Sequence, residues 1–178
     1  MEREMDLRGK EAVSLSSLVK QEYQITDSYY FGEVKRGLRN SDGTGVLIGV
    51  TKVGSVQGYL IEDGRRIPVP GKLYYRGIDL NEIVEAHRKS GTFGYEEVAY
   101  LLLMGHLPTK SELSYFNDIM CRARKLPEGF TEGMIMRHPS RDIMNDLARS
   151  VLLLYSYDEN PDDISAENLL TQSIKLIG

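Results

Sequence analysis

The run from Tyr95 to Met104, with Gly94 in front and Gly105 behind, constrains this chain more than any other feature. Val98, Ala99, Leu101, Leu102 and Leu103 cover so much of a helix's circumference that both sides of it must be buried. Such a helix has to sit between layers, so the rest of the chain must supply a largely helical surrounding. Neither this run nor the one from Val151 to Tyr155 approaches the about 20 apolar residues that a membrane-spanning helix needs. A soluble protein without a membrane partner is expected.

Helix punctuation recurs on both sides of that run. Asp79 with Glu82 has capping-box spacing, Ile83, Val84 and His87 share a face, and Ser90-Gly91 ends the helix. Thr109 and Glu112 form a second box, after which Leu113, Phe116 and Met120 keep helical spacing until Leu126-Pro127 breaks it. Pro139-Ser140 opens the cleanest amphipathic pattern, with Ile143, Leu147, Val151 and Leu154 on one stripe. That pattern predicts a core helix. Ser165 starts a last helix through Leu170, Ile174 and Ile177, whose apolar face lacks an obvious cover; this reads as a piece of a longer protein, with Gly178 as a genuine helix stop as the alternative.

Before Gly77 the character differs. Residues 1–39 read as a helical lead-in, with one piece around Leu15, Leu18 and Val19 and another from Asp27 to Lys35. Residues 46–76 read as a short antiparallel β ribbon, because Val46, Ile48, Val50, Val53, Val56, Tyr59 and Ile61 suit strands and glycines recur among them. Glu62-Asp63-Gly64 has hairpin-turn chemistry, and Pro68 and Pro70 confine Arg65 to Val69 to an edge. Residues 79–178 are helical. The fold class is therefore mainly α with a small ribbon, in one domain of 178 residues.

Charge and cysteine content exclude several functions. Twenty-two Lys+Arg against 26 Asp+Glu leave a formal charge of -4, which selects no polyanion such as nucleic acid. The single Cys121 forms no internal disulfide, so a reducing, cytoplasmic location is the default. The charged first ten residues fit neither a secretory signal nor an organellar presequence.

The short motifs favour structural readings. Gly43-x-Gly45-x-x-x-Gly49 lacks the preceding strand and following helix of a dinucleotide loop. Asp158-x-Asn160-x-Asp162 imitates half a calcium loop, but Asp163 stands where glycine is needed and Leu169 where the bidentate glutamate belongs. His87, His106, His138 and Cys121 have no zinc-ligand spacing, so no metal is expected. No serine or cysteine occupies a recognisable nucleophile elbow. Lys35, Arg36 and Arg39 could take a phosphate, since guanidinium suits bidentate contact, though solvation of a basic surface is the commoner explanation for such a cluster.

Leu73-Tyr-Tyr-Arg-Gly-Ile-Asp-Leu80, followed by Phe93 to Leu113 with its E-E-V-A-Y-L-L-L-x-G-x-L-P-T core, closely resembles signatures of the citrate synthase family. The likeness spans about Gly37 to Gly178. It implies the amino-terminal part of that family's helical large domain, with the small catalytic domain absent. It also implies a homodimer that condenses acetyl-CoA with oxaloacetate and hydrolyses citryl-CoA; coenzyme A enters with the substrate, and no separate cofactor is needed. The family's catalytic base and histidines lie in motifs resembling L-H-G-G-A, G-H-x-x-Y and D-x-Y-S-G, none of which occurs here, so no catalytic residue is assigned and the chain alone is expected to be inactive. Gly105-His106 belongs to the G-x-L-P-T connector and not to the catalytic G-H motif. Arg39, in Gly37-Leu38-Arg39, resembles a family arginine that reaches a coenzyme A phosphate. A 2-methylcitrate synthase using propionyl-CoA, or a non-catalytic helical interaction module on the same scaffold, are the alternatives.

Overall fold

The computed structural model describes residues 15–17, 19–20, 25–26 and 51–178. The helical piece expected from Asp27 to Lys35, the glycine-rich stretch at 43–49 and the Lys35, Arg36, Arg39 cluster lie outside the described residues. The chain divides into two compact units, Leu18–Leu113 and Met1–Ser17 with Ser114–Gly178.

The first unit contains the ribbon, strands β1 (Gly54–Glu62) and β2 (Arg65–Tyr75). They pair antiparallel from Gly54 opposite Tyr75 to Glu62 opposite Arg65, with an irregularity between Gln57 and Tyr59. Asp63 at φ 50° and Gly64 at φ 73° close the hairpin, the two successive positive φ values of a type I′ turn. Arg76 and Gly77, at φ 50° and 84°, repeat the device and lead into β3 (Ile78–Asp79), which pairs with Tyr74 and Tyr75. Because β3 covers only that end, Pro68 and Pro70 fall where β2 has an open edge among the described residues, although the strand runs through both prolines to Tyr75 instead of ending near Val69.

Helix α1 (Leu80–Ser90) starts on Asp79, whose side chain accepts from the Asn81 amide, and stops at Gly91 in the left-handed conformation. Ile83 is buried on it, whereas Val84 is 54% exposed, so the apolar face is narrower than its spacing predicts. Helix α2 (Tyr95–Met104) buries Tyr100, Leu101 and Met104 almost completely. Val98, Ala99, Leu102 and Leu103 are half-buried, so one side is packed within its unit and the other only partly covered, a correction to the expectation of burial all round. Helix α3 (Lys110–Ala123) follows, and the division between the units falls within it.

The second unit has its core in Phe116, Ile119 and Met120 of α3, Phe130, Met134, and Leu170 and Ile174. Phe130 lies edge-on to Tyr157, 5.8 Å between ring centroids. A π-helical turn, Thr131–Met136, precedes α4 (Ile143–Leu154). This helix departs most from expectation. It begins on Asp142, which accepts from the Met144 and Asn145 amides, and not at Pro139-Ser140; it contains no buried residue. Ile143 is 80% and Leu147 54% exposed, so the stripe expected to form the core is a surface in this chain. The cause is that Met134, Phe130 and the last helix fill the unit's interior without it.

Helix α5 (Ala166–Ile177) is capped by Ser165, which accepts from the Asn168 amide. Its face is not left without cover, as the sequence had suggested, because Leu170, Thr171 and Ile174 are buried. Ser16 donates to Glu167 at 3.2 Å, tying a residue near the start of the chain to the first turn of this helix.

Candidate functional site

Two polar clusters in the first unit gather the chemistry-bearing side chains. The first grows from the Thr109 and Glu112 box. The Thr109 amide and hydroxyl both donate to Glu112 Oε2, at 2.8 and 2.7 Å, while the Glu112 amide donates back to Thr109 Oγ1 at 3.3 Å. His106 Nε2 stands 3.8 Å from Glu112 Oε1, and its ring meets Tyr100 edge to face at 5.5 Å. The hydrogen bonds from the Thr109 amide and hydroxyl, aided by His106 and the Tyr100 hydroxyl, hold the Glu112 carboxyl below the usual glutamate range. Burial pushes the Tyr100 phenol up, and the Glu112 charge and hydrogen bond add to this. A carboxylate so fully engaged by donors is a poor proton acceptor. The cluster secures the start of α3.

The second cluster joins the end of α1 to the start of α2. His87 Nδ1 lies 2.9 Å from Thr92 Oγ1, which lies 2.8 Å from Ser90 Oγ; that hydroxyl in turn lies 2.9 Å from the Ala86 carbonyl. On its other side His87 Nε2 is 3.5 Å from Glu97 Oε1. The ring presses on Gly94, where a β-carbon would fall 2.5 Å from His87 Cδ2, so only glycine fits between Phe93 and Tyr95. Nearby, Arg76 of the Tyr-Arg-Gly turn donates through Nη2 to the Leu102 carbonyl at 2.9 Å, pinning the ribbon's end to α2.

In the second unit His138 participates through its backbone: its carbonyl accepts from Arg149 Nη2 at 3.0 Å. Arg149 also binds Asn145 and Asp146, and Asp146 accepts from the Ser140 amide. Asp158 and Asp163 accept from the Asn160 and Ser165 amides, so these carboxylates shape their own loop; Tyr155 donates to Asp162, which raises its phenol.

The three histidines therefore stand at a helix end, in a connector and in a bend, each with its own local partners. Cys121 is exposed and free on α3. Among the described residues no group of three or more His, Cys, Asp or Glu could hold a metal ion, and no helix is long and apolar enough to cross a membrane. Arg39, the residue expected at a coenzyme A phosphate, lies outside the described residues. Sequence reasoning missed the His87, Thr92, Gly94 and Glu97 grouping; the one available signal was Gly94 placed before a glutamate-rich helix start.

These local devices coincide with the segments that other proteins share. A family model described as citrate synthase, C-terminal domain, matches residues 42–178. The citrate synthase of Haloferax volcanii is 31% identical over 132 residues, covering 74% of this chain and 29% of the relative. That of Corynebacterium glutamicum is 38% identical over 87 residues, covering 49% of this chain and 18% of the relative. The crystal structure of citrate synthase from Pyrobaculum aerophilum superposes with a TM-score of 0.56 at 25% identity, covering 83% of this chain and 37% of that one. The chain thus spans less than a third of the length of both curated relatives. With the family model matched over most of the residues, this chain belongs to the citrate synthase family.

Proposed function

We propose that these residues are the amino-terminal part of the large domain of an enzyme that condenses acetyl-CoA with oxaloacetate and water to give citrate and CoA. The observation that carries this reading is the family match across residues 42–178, reinforced by relatives named citrate synthase. The reaction needs a carboxylate to take a proton from the thioester methyl, and donors to stabilise the enolate and polarise the ketone. The best-defined carboxylate here, Glu112, is committed to a helix cap, and each histidine is engaged by its own local partners. The reactive groups are therefore assigned outside these 178 residues, and the chain alone is inactive.

Within this reading Arg39 contacts a coenzyme A phosphate, and the exposed stripe of α4 supports burial against a second copy in a cytoplasmic homodimer. Free-thiol release on mixing acetyl-CoA and oxaloacetate tests the assignment. The intact parent enzyme should release CoA and the 178-residue chain should not; release by the chain would overturn its assigned inactivity. Faster turnover of propionyl-CoA would redirect the reading to 2-methylcitrate synthesis, and no turnover of either would leave a helical interaction module. Arg39→Gln in the parent should raise KM for acetyl-CoA, with KM for oxaloacetate unchanged.

A further inference from the structure

The hydrogen-bond chain behind His87 has a direction that its geometry determines. Ser90 Oγ sits 2.9 Å from the Ala86 carbonyl and 3.2 Å from the His87 carbonyl; carbonyls only accept, so the serine's single proton goes to them. The 2.8 Å contact between Ser90 and Thr92 must then use the threonine's proton. Thr92, having donated, can only accept from the ring, which places a proton on His87 Nδ1 at 2.9 Å. In the neutral ring Nε2 is thus the bare nitrogen. It is buried, without a hydrogen-bond partner, and faces the Glu97 carboxylate at 3.5 Å.

Two acceptors confronting each other in a partly closed site repel, and a proton on Nε2 turns the confrontation into an ion pair. His87 lies in the last turn of α1, where the carbonyl ends attract a cation, and Glu97 lies in the first turn of α2, where the amide ends attract an anion. Arg88, next to His87, is turned to Glu85 at 2.8 Å and does not compete for Glu97. The ring lies against Gly94, whose missing side chain leaves the space it occupies.

We infer that His87 and Glu97 form a proton-dependent latch, in which uptake of a proton at His87 Nε2 fastens the end of α1 to the start of α2, with Thr92 and Ser90 holding the ring's other nitrogen protonated throughout. Sign follows from the geometry: the link is made where the ring is charged and is released as pH rises. The latch joins the end of α1 to the start of α2, so its state sets how firmly the first hydrogen bond of α2, from the Val98 amide to the Gly94 carbonyl, is held.

The test uses the whole 178-residue chain labelled with nitrogen-15 at histidine, with His106→Gln and His138→Gln assigning the signals. Proton–nitrogen correlation spectra across about pH 5 to 8, the interval where histidines change charge, should show the neutral His87 ring protonated at Nδ1, gaining the Nε2 proton on acidification. Val98 amide exchange, corrected for its intrinsic pH dependence, should slow several-fold at the acid end. Glu97→Gln should abolish that pH dependence while leaving the fold intact, and Thr92→Val should let the neutral proton move to Nε2. A neutral wild-type ring protonated at Nε2 would reverse the relay and overturn the latch. So would Val98 protection that is indifferent to pH in the wild-type chain, or equally pH-dependent in Glu97→Gln.

Discussion

Helices α2 and α4 are the two most apolar helices of this chain, and they have opposite fates. The α4 pattern is the cleaner of the two in sequence, a single stripe at helical spacing, yet it buries nothing. The α2 pattern is nearly apolar all round, and it buries Tyr100, Leu101 and Met104. The difference teaches that periodicity reports which face will be hidden, and not what hides it. In α2 three side chains are buried, and Arg76 at the ribbon's end is hydrogen-bonded to its Leu102 carbonyl. In α4 the local partners, the π-helical turn and the last helix, fill their own interior and leave the stripe to solvent.

The largest expected effect lies on the buried side of the comparison. Leu101→Ala, at a position with no exposure, should cost about 3 kcal/mol in urea unfolding, whereas Leu147→Ala on α4 should change stability by no more than about 0.5 kcal/mol. Equal costs would mean that the α4 stripe is already covered in the 178-residue chain. Next comes Gly94→Ala, whose β-carbon would strike the His87 ring at 2.5 Å; a loss of about 1–3 kcal/mol is expected, and repair by the double change with His87→Ala would identify the collision as its source.

Thr109→Ala removes one half of the reciprocal box and should lower stability by about 1 kcal/mol, read from the urea midpoint at constant slope. The smallest effect concerns pH. Because the folded state depresses the Glu112 carboxyl, the unfolded chain binds more protons in acid, so this glutamate's contribution is complete at neutral pH and disappears as pH falls through the folded-state value. Glu112→Gln should therefore flatten the acid limb of the stability profile slightly and leave the neutral plateau lower. A steeper acid limb in the variant would contradict the assignment. Since Glu112 is 39% exposed, solvent screening keeps this effect modest.

Much of the local structure was legible because its causes are local. Asp63-Gly64 closes a hairpin, Thr109 and Glu112 cap each other, Ser165 starts a helix, and Gly91 and Gly105 stop two more, each through atoms within a few residues. The spacing places the start of α4 at Pro139, but the preceding turn is π-helical and Asp142, not Ser140, caps the helix. Within the candidate clusters, the Thr109 box could be read directly, but its His106 and Tyr100 neighbours could not. Nor could the contact between His87 and Gly94, since a glycine's spacing says nothing about which side chain leans on it.

What the sequence determined alone was the order of elements, their punctuation and the family resemblance, because these depend on backbone preferences and short hydrogen bonds acting between near neighbours. Tertiary structure decided which apolar faces are covered and which donors meet which acceptors. Packing assigns partners by proximity in space, as when Ser16 reaches Glu167 or Phe130 meets Tyr157, and proximity in space is not written in the spacing of either residue.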